Sequence, residues 1–410
     1  MLAKINNILR SPTLFTLMGR MIQLATQIAL VLVIPKLLVP DAYVKFSLIM
    51  PLGILGASLL FGWMIRAIYR YVHELLAEDD SRCRQTVYFY YGVISLLLVA
   101  AYFITSFFTN SFYRLVPILL LAVALKMTAL SVLNASEKYR TFFYAHLSFA
   151  ASLAVFLVLC AKVGAENLEQ NLLVYASLDI LVAIVIWRYL EILTWPPFSE
   201  FDKAMTKRFF LYGLPLVMQE ISIWVISLSD RYLLTLWEPS ERVASYILSY
   251  QLSSSVITIP ITFAMLVIFP RAIRLDKESG EQSALDYIYR MLRYYVHYIV
   301  LIAILGCAIV IPFKYFVYPA YEFNPVIMII IVLAHIVSGL SPFLSKEFEL
   351  NGLTLVISKG MGLGAATNVG LNLAFIPVFG LMGAAVATFM AYGVTVIYLY
   401  RARSYKGKIV

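Results

Sequence analysis

The sequence predicts an all-α integral membrane protein with twelve transmembrane helices in two six-helix lobes and a central cavity between the lobes. Three observations support this prediction: the composition, the length of the apolar runs and an internal repeat. Of the 410 residues, 62% are hydrophobic and 13% are charged, and the mean hydropathy is +0.85. Soluble domains have about half apolar and about a quarter charged residues. The composition therefore excludes a soluble enzyme, a nucleic-acid-binding module and a disordered chain.

Twelve apolar runs approach or exceed the roughly 20 residues that a helix needs to cross a bilayer. They are continuously apolar and lack the polar alternation of barrel strands. The expected spans are 12–38, 43–66, 87–108, 115–134, 141–161, 172–190, 209–236, 243–269, 293–313, 325–345, 355–377 and 381–400. Twelve helices of about 20 residues use roughly 240 residues and leave about 170 for loops and ends, which is too few for an added soluble domain.

Lysine and arginine fall mostly on one side of these spans. Of 32 such residues, 23 lie on the side of the N-terminus, six lie on the opposite side, and three, Arg20, Lys126 and Arg231, lie within spans. Because cytoplasmic loops are enriched in Lys and Arg, both termini are expected in the cytoplasm. The net charge of +9 then reflects topology and not nucleic-acid binding. The first residues are too polar for a cleavable signal peptide, so the first span should remain as an anchor.

The two halves of the chain carry matching features. We expect an N-terminal lobe over 1–200 and a C-terminal lobe over 201–410, divided by the Pro-containing segment Trp195-Pro196-Pro197-Phe198. The hairpin after the first span of each half is similar, and the next span ends in Ile65-Arg66 in one half and Pro270-Arg271 in the other. Six spans per half give a parallel repeat, and a cleft between two such lobes is typical of transporters.

Polar residues recur at one spacing in the first helix of each half. The two stripes, at i, i+4, i+7 and i+11, are Thr16, Arg20, Gln23 and Gln27, and Glu220, Trp224, Ser227 and Arg231. Such spacing puts a stripe on one helix face. Because polar groups within a span are costly, they normally face an interior cavity. The predicted substrate-binding residues are Arg20, Gln23, Gln27, Arg66, Glu220, Trp224, Asp230, Arg231, Tyr250, Gln251 and Arg271.

Arginine in the predicted cavity favours an anionic substrate, because a guanidinium pairs with phosphate oxygens in two ways and stays charged. Several assignments stay open. Arg66 and Arg271 could instead snorkel to the headgroups, Glu220 could carry a coupling proton or sodium ion, and Asp230 could contact the other lobe at an outer gate. Tyr250 and Trp224 could stack on sugars. Interhelical hydrogen bonds alone would explain the Ser and Thr residues.

Other intramembrane groups are expected to be structural. Lys126 and Asp179 could form an ion pair within one lobe. The three cysteines, Cys83, Cys160 and Cys307, show no metal-site or disulfide spacing, so no metal, cofactor or catalytic residue is predicted. With four histidines and no large loop on the non-cytoplasmic side, a membrane enzyme is disfavoured.

Several short motifs follow one another along the chain. They are Pro35-Lys36-Leu37-Leu38 with Asp41-Ala42-Tyr43, Ile65 to Tyr71, Leu211 to Pro215, Ser229 to Leu234, Ala244-Ser245-Tyr246 with Tyr250-Gln251-Leu252, Asn372-Leu373 with Ile376-Pro377, and Gly380 to Ala385. In this order, the motifs resemble those of the bacterial polysaccharide flippases (Wzx-type O-antigen translocases) of the multidrug/oligosaccharidyl-lipid/polysaccharide exporter superfamily. One departure is Val44-Lys45, where many relatives have a glycine after the aromatic residue.

The resemblance implies translocation of an undecaprenyl-pyrophosphate-linked oligosaccharide, such as an O-antigen repeat unit for lipopolysaccharide biosynthesis, by alternating access. It also implies the cell inner membrane as location, membrane lipids as surroundings, and a polysaccharide polymerase with chain-length machinery as possible partners, with no nucleic acid. The alternative is a proton- or sodium-coupled drug or metabolite antiporter on the same plan. An antiporter would have acidic residues dominating the cavity, whereas the first helix here has Arg20 and no carboxylate.

Overall fold

The computed structural model describes residues 12–71, 82–108, 111–163, 167–190 and 202–404. Within these ranges the chain is helical and contains no strand. Eleven of the helical segments described there are long and apolar enough to cross a membrane. The described chain is therefore that of an all-α, multi-pass membrane protein, as predicted, whereas two six-helix lobes with a central cavity stay a prediction. The predicted dividing segment, residues 195–198, lies outside the described residues.

The first nine helices follow the order of the predicted spans. They are α1 (Pro12–Leu37), α2 (Pro40–Arg70), α3 (Arg82–Phe108), α4 (Val116–Ala135), α5 (Tyr139–Val163), α6 (Leu168–Tyr189), α7 (Lys203–Leu234), α8 (Ser240–Ser279) and α9 (Glu281–Val317). A short 3-10 helix, Phe112–Leu115, precedes α4. Pro40 and Pro117 stand in the first turns of α2 and α4, where a missing N–H costs no helical hydrogen bond.

Two of these helices are longer than their apolar runs. The predicted spans 243–269 and 293–313 are only the apolar parts of α8 and α9. Helix α8 has 40 residues, hence a length of about 60 Å, against about 30 Å for the hydrocarbon layer. Its polar end therefore continues beyond the membrane. Gly280 ends it with φ 82° and separates it from α9.

The remaining spans differ from the prediction in their breaks. The tenth, predicted as 325–345, consists of α10 (Pro325–Ser338) and α11 (Ser341–Leu350). The last two are joined in α12 (Thr354–Ser404), which is interrupted by non-helical Gly380 at φ 55°. If α12 is counted as two spans, the eleven candidate spans become twelve, the predicted number. A Cβ at position 380 would meet Glu238 Oε1 at 2.2 Å, so glycine fits this break both conformationally and sterically.

The chain forms two compact units, Met1–Val217 and Met218–Val410, whose boundary falls within α7. In the N-terminal unit, α1 packs on α5, and α4 packs on both α2 and α6. In the C-terminal unit, α8 packs on α9 and α10, and α12 packs on α10 and α11. The lobe boundary at residue 200 stays a prediction.

One turn recurs in both units. The turn between α4 and α5 has Glu137 at φ 56°, and the turn between α11 and α12 has Gly352 at φ 69°. In both, the next N–H reaches back to a carbonyl five residues earlier: Lys138 N to Leu133 O at 3.1 Å, and Leu353 N to Phe348 O at 2.8 Å. This is the helix-ending Schellman arrangement. An internal repeat of six spans would produce such a match.

Candidate functional site

In the N-terminal unit, Arg20 lies half-buried on α1. Its Nη1 donates to Gln23 Oε1 at 3.0 Å, and its Cζ lies 5.4 Å from the centroid of the Phe142 ring. The Phe142 ring contacts His146 edge-on, with centroids 4.5 Å apart. Gln27, one turn beyond Gln23, is exposed. Two of the three predicted residues on α1, Arg20 and Gln23, are thus held together by a direct hydrogen bond.

The described contacts of Arg20 are all with neutral groups. No carboxylate of the described residues lies within 4.0 Å of its guanidinium. Lys126, another intramembrane cation of this unit, differs: its Nζ lies 3.0 Å from Asp179 Oδ2 and 4.6 Å from the centre of the Phe149 ring. The predicted Lys126–Asp179 ion pair is therefore confirmed. Since that carboxylate is already paired, the described residues offer Arg20 no counter-ion.

The C-terminal unit encloses a second charged group. Asp230 is fully buried and Arg231 is 5% exposed. The hydroxyl of Tyr246 donates to Asp230 Oδ2 at 2.5 Å, and the backbone N–H of Arg231 donates to Asp230 Oδ1 at 2.8 Å. The Arg231 Cζ lies 5.3 Å from the centroid of the buried Tyr250 ring. The structure thus brings together three predicted residues, Asp230, Arg231 and Tyr250.

Aromatic rings continue from this group. His335 of α10 contacts the Tyr250 ring at 5.4 Å and the Tyr392 ring at 5.6 Å, both edge-on. Its Nδ1 lies 2.8 Å from Ile331 O, which assigns the proton to Nδ1. The Tyr392 hydroxyl lies 3.2 Å from Ser227 Oγ. The sequence could not have predicted these edge contacts, because contacts between helices that are distant in the chain leave no sequence pattern.

A polar chain joins α7 to α12. Ser229 Oγ donates to Asn368 Oδ1 at 2.9 Å, and Asn372 Nδ2 donates to the same oxygen at 3.0 Å. Asn368 and Asn372 are both fully buried. No site role was predicted for this pair, although two asparagines four residues apart in an apolar span could have indicated it.

The other predicted residues occupy more open positions. Glu220, Trp224 and Gln251 are half-buried in the C-terminal unit, and Trp224 packs on Tyr232 with centroids 5.4 Å apart. Arg66 is half-buried near the end of α2, whereas Arg271 is exposed, with its Cζ 5.3 Å from the Tyr287 ring centroid. A cavity shared by the two sets of residues stays a prediction.

Among the described residues, no group of three or more His, Cys, Asp or Glu side chains is arranged to hold a metal ion. Cys160 and Cys307 are unpaired thiols within helices. Cys83 was predicted as structural, and its side chain lies outside the described part of the chain.

Long apolar helices carrying a few internal charges define the class of polytopic membrane proteins. Within it, residues 143–276 match the model of a family described as polysaccharide biosynthesis protein. No curated protein sequence matches the chain.

Solved structures show the same fold over nearly the whole length. An inward-facing multidrug resistance MATE family transporter of the MOP superfamily matches with a TM-score of 0.66 at 14% identity, over 95% of this chain and 96% of the other. The lipid II flippase MurJ, in an inward closed conformation, matches with a TM-score of 0.60 at 18% identity, over 96% and 87%. An outward-facing MATE transporter matches with a TM-score of 0.55 at 15% identity, over 98% and 99%.

The chain therefore has the fold of MOP-superfamily transporters. The resemblance to polysaccharide flippases of that superfamily, drawn from the motifs, is confirmed by the family match and by the fold. The matched structures are those of transporters and of a flippase, which agrees with the expectation that the chain is not an enzyme.

Proposed function

We propose that this protein is a flippase that moves a lipid-linked oligosaccharide across the membrane by alternating access. The cargo is an undecaprenyl-pyrophosphate-linked repeat unit of an O-antigen or related surface polysaccharide, carried from the cytoplasmic to the periplasmic leaflet. The match of residues 143–276 to a polysaccharide biosynthesis family and the structural likeness to a lipid II flippase support this class of cargo.

The observation that carries the proposal is the state of Arg20. This residue is the ninth of α1, about 12 Å from the helix start at 1.5 Å per residue. A cation at such a depth is costly and normally has a partner, yet its described contacts are the neutral Gln23 and Phe142. A transient anionic partner fits this position, and the pyrophosphate of the cargo supplies one.

In this scheme the guanidinium of Arg20 binds the pyrophosphate oxygens through two parallel hydrogen bonds. Gln23 holds the guanidinium in place and offers its amide N–H groups to sugar hydroxyls. The lipid tail stays in the hydrocarbon layer, where it needs no protein partner. In the C-terminal half, Arg231 and Glu220 are the groups proposed to contact the cargo.

The test compares Arg20→Ala and Arg20→Lys with the control Lys162→Ala, which removes an exposed cation near the far end of α5. A charged hydrogen bond contributes about 1.5–3 kcal/mol, so Arg20→Ala should reduce surface-polysaccharide display by at least about tenfold. Arg20→Lys should retain part of it, because the charge remains and the planar fork is lost. Lys162→Ala should leave it unchanged. Normal display by Arg20→Ala at normal expression would contradict the proposal.

The alternative, a proton- or sodium-coupled antiporter of drugs or metabolites, is favoured by one observation, the TM-score of 0.66 with a multidrug transporter. Glu220 is the candidate coupling carboxylate on α7. If the protein is such an antiporter, Glu220→Gln should abolish drug efflux driven by an ion gradient. If it is a flippase without ion coupling through Glu220, this variant keeps a hydrogen-bonding side chain at the position and should still display polysaccharide, to the same extent with or without the gradients.

The proposal also includes a location and partners. We expect the protein in the bacterial inner membrane with both termini in the cytoplasm, because 23 of its 32 Lys and Arg residues lie on that side. A fluorescent-protein fusion at each terminus, which matures only in the cytoplasm, should fluoresce in both cases. Cross-linking in cells should recover the polysaccharide polymerase and chain-length machinery that act on the flipped product.

A further inference from the structure

A pocket of about 330 Å³ opens beside the turn between α4 and α5, in the N-terminal unit. We call it the α4–α5 pocket. Its lining includes Phe15, Glu137, Lys138, Arg140, Thr141 and Tyr189. It lies at the ends of α1, α4, α5 and α6 that the Lys and Arg distribution predicts to be cytoplasmic, and it contains none of the residues of the transport proposal.

Two cations in this pocket rest on aromatic rings. Lys138 Nζ lies 5.2 Å from the centroid of the Tyr189 ring, and Arg140 Cζ lies 5.5 Å from that of the Phe15 ring. Within the described part of the chain, no carboxylate lies within 4.0 Å of either cation. The rings fix both charges against the pocket wall and leave their N–H groups available to a ligand.

The position of these cations in the helix adds to the positive potential. Lys138 immediately precedes α5 and Arg140 is its second residue, and the first turn contains no acidic residue. The N-terminus of a helix is its positive end, where acidic side chains are the stabilising ones. Two basic residues here cost stability unless an anion sits beside them. Topology alone does not require this placement, because cations at helix C-termini on the same side would serve it equally.

Glu137 distinguishes this turn from the matching turn of the C-terminal unit. It has φ 56°, in the left-handed region where non-glycine residues are strained. The corresponding turn of the C-terminal unit has Gly352 there, followed by the apolar Leu353. The N-terminal unit thus retains a strained, exposed carboxylate next to two cations, and such strain is concentrated at functional sites. A carboxylate at the rim is suited to accept a hydroxyl or ammonium group attached to the bound phosphate.

We propose that the α4–α5 pocket binds a phosphate group through Lys138, Arg140 and the first turn of α5, with Glu137 contacting a neighbouring hydroxyl or ammonium group. The phosphate can belong to a membrane lipid head group or to a free diphosphate. The site is separate from Arg20 and does not depend on which cargo the protein transports.

The experiment measures ligand binding to the purified full-length protein by native mass spectrometry in detergent. The probes are phosphatidylglycerol, phosphatidylcholine and inorganic pyrophosphate. The double variant K138Q/R140Q removes both cations of the pocket. The matched control R274Q/R401Q removes two exposed arginines from the same predicted side and lowers the net charge equally.

The proposal predicts that K138Q/R140Q weakens phosphate binding by about tenfold or more, since charged hydrogen bonds contribute about 1.5–3 kcal/mol each, whereas the control binds as the unchanged protein does. Loss confined to phosphatidylglycerol identifies a lipid head group, and loss confined to pyrophosphate identifies a free diphosphate. Equal binding by both double variants to every probe overturns the proposal, as does an equal loss in both, which would indicate general surface charge.

A second variant separates binding from folding. K138R/R140K keeps both charges and should bind at least one phosphate probe within about threefold of the unchanged protein. If K138Q/R140Q melts at a much lower temperature, the single variants K138Q and R140Q replace it, and each should show part of the loss. Unchanged binding by both single variants would then overturn the proposal.

Discussion

The two units treat their intramembrane charges differently. In the C-terminal unit, Asp230 and Arg231 are both buried and surrounded by Tyr246, Tyr250 and their own backbone. In the N-terminal unit, Asp179 is paired with Lys126, and Arg20 is left with neutral neighbours. Among the described residues neither arginine has a carboxylate within 4.0 Å, so burial is what separates them: Arg231 is 5% exposed and packed on the Tyr250 ring, whereas Arg20 is half-buried and more accessible to a ligand.

This difference gives different expected roles to Arg20 and Arg231, which the sequence alone does not distinguish. Arg20 and Arg231 lie on corresponding helices, Arg20 as the second residue of its polar stripe and Arg231 as the fourth of its own, and both were predicted to bind the substrate. Their surroundings now give them separate expectations. Arg20 should matter to transport more than to stability, and Arg231, packed on Tyr250 beside Asp230, should matter to stability as well. Variants at the charged groups of the two units test this distinction.

The largest effect is expected at the Lys126–Asp179 pair. Lys126→Met leaves Asp179 buried without a cation, which should lower the free energy of unfolding by about 3–5 kcal/mol. The double variant Lys126→Met with Asp179→Leu removes both charges and should cost much less. Thermal unfolding in detergent measures both. A single variant that costs under about 1 kcal/mol, or a double variant as unstable as the single one, would contradict a structural role for the pair.

A smaller loss is expected at Asp230. Tyr246→Phe deletes the hydroxyl that donates to Asp230 Oδ2 and leaves the backbone N–H of Arg231 as the remaining described donor. Losing a hydrogen bond to a buried charge should cost about 1.5–3 kcal/mol. The control Tyr294→Phe alters a half-exposed tyrosine of α9 (52% exposed) and should be nearly neutral. Equal melting temperatures for the two variants would show that the Asp230 group is not held as described.

Much of this architecture could be predicted from the sequence, and the reason is the bilayer. A span must be long, apolar and internally hydrogen-bonded, so the helices and the intramembrane position of Arg20 follow from one-dimensional patterns. The breaks within helices were harder to predict from the sequence. Gly380 divides α12 because of a backbone conformation and a close approach of Glu238, and neither is visible in hydropathy. The contacts of His335 and Asn368 depend on helices brought together from distant parts of the chain.

A third prediction uses the matched turns of the two units. Glu137→Gly relieves a left-handed residue and should raise the free energy of unfolding by about 0.5–1 kcal/mol, whereas Gly352→Ala should lower it by about 1–2 kcal/mol, because a Cβ is unfavourable at positive φ. Gly362→Ala is the control, since a Cβ there meets no atom within 4 Å and the residue is helical. If Glu137→Gly proves destabilising, the carboxylate contributes to folding and its strain is not held for a ligand.

The smallest change in stability is expected where the functional effect is greatest, at Arg20. Arg20→Gln removes a cation that has no described carboxylate partner, so the lost contact with Phe142 and the avoided cost of keeping a charge in the membrane act in opposite directions. Its melting temperature should stay close to that of the unchanged protein, within about 0.5 kcal/mol in free energy, while polysaccharide display falls. A destabilisation as large as that of Lys126→Met would mean that Arg20 is held by its own unit, as Arg231 is. The distinction between the two arginines would then be lost.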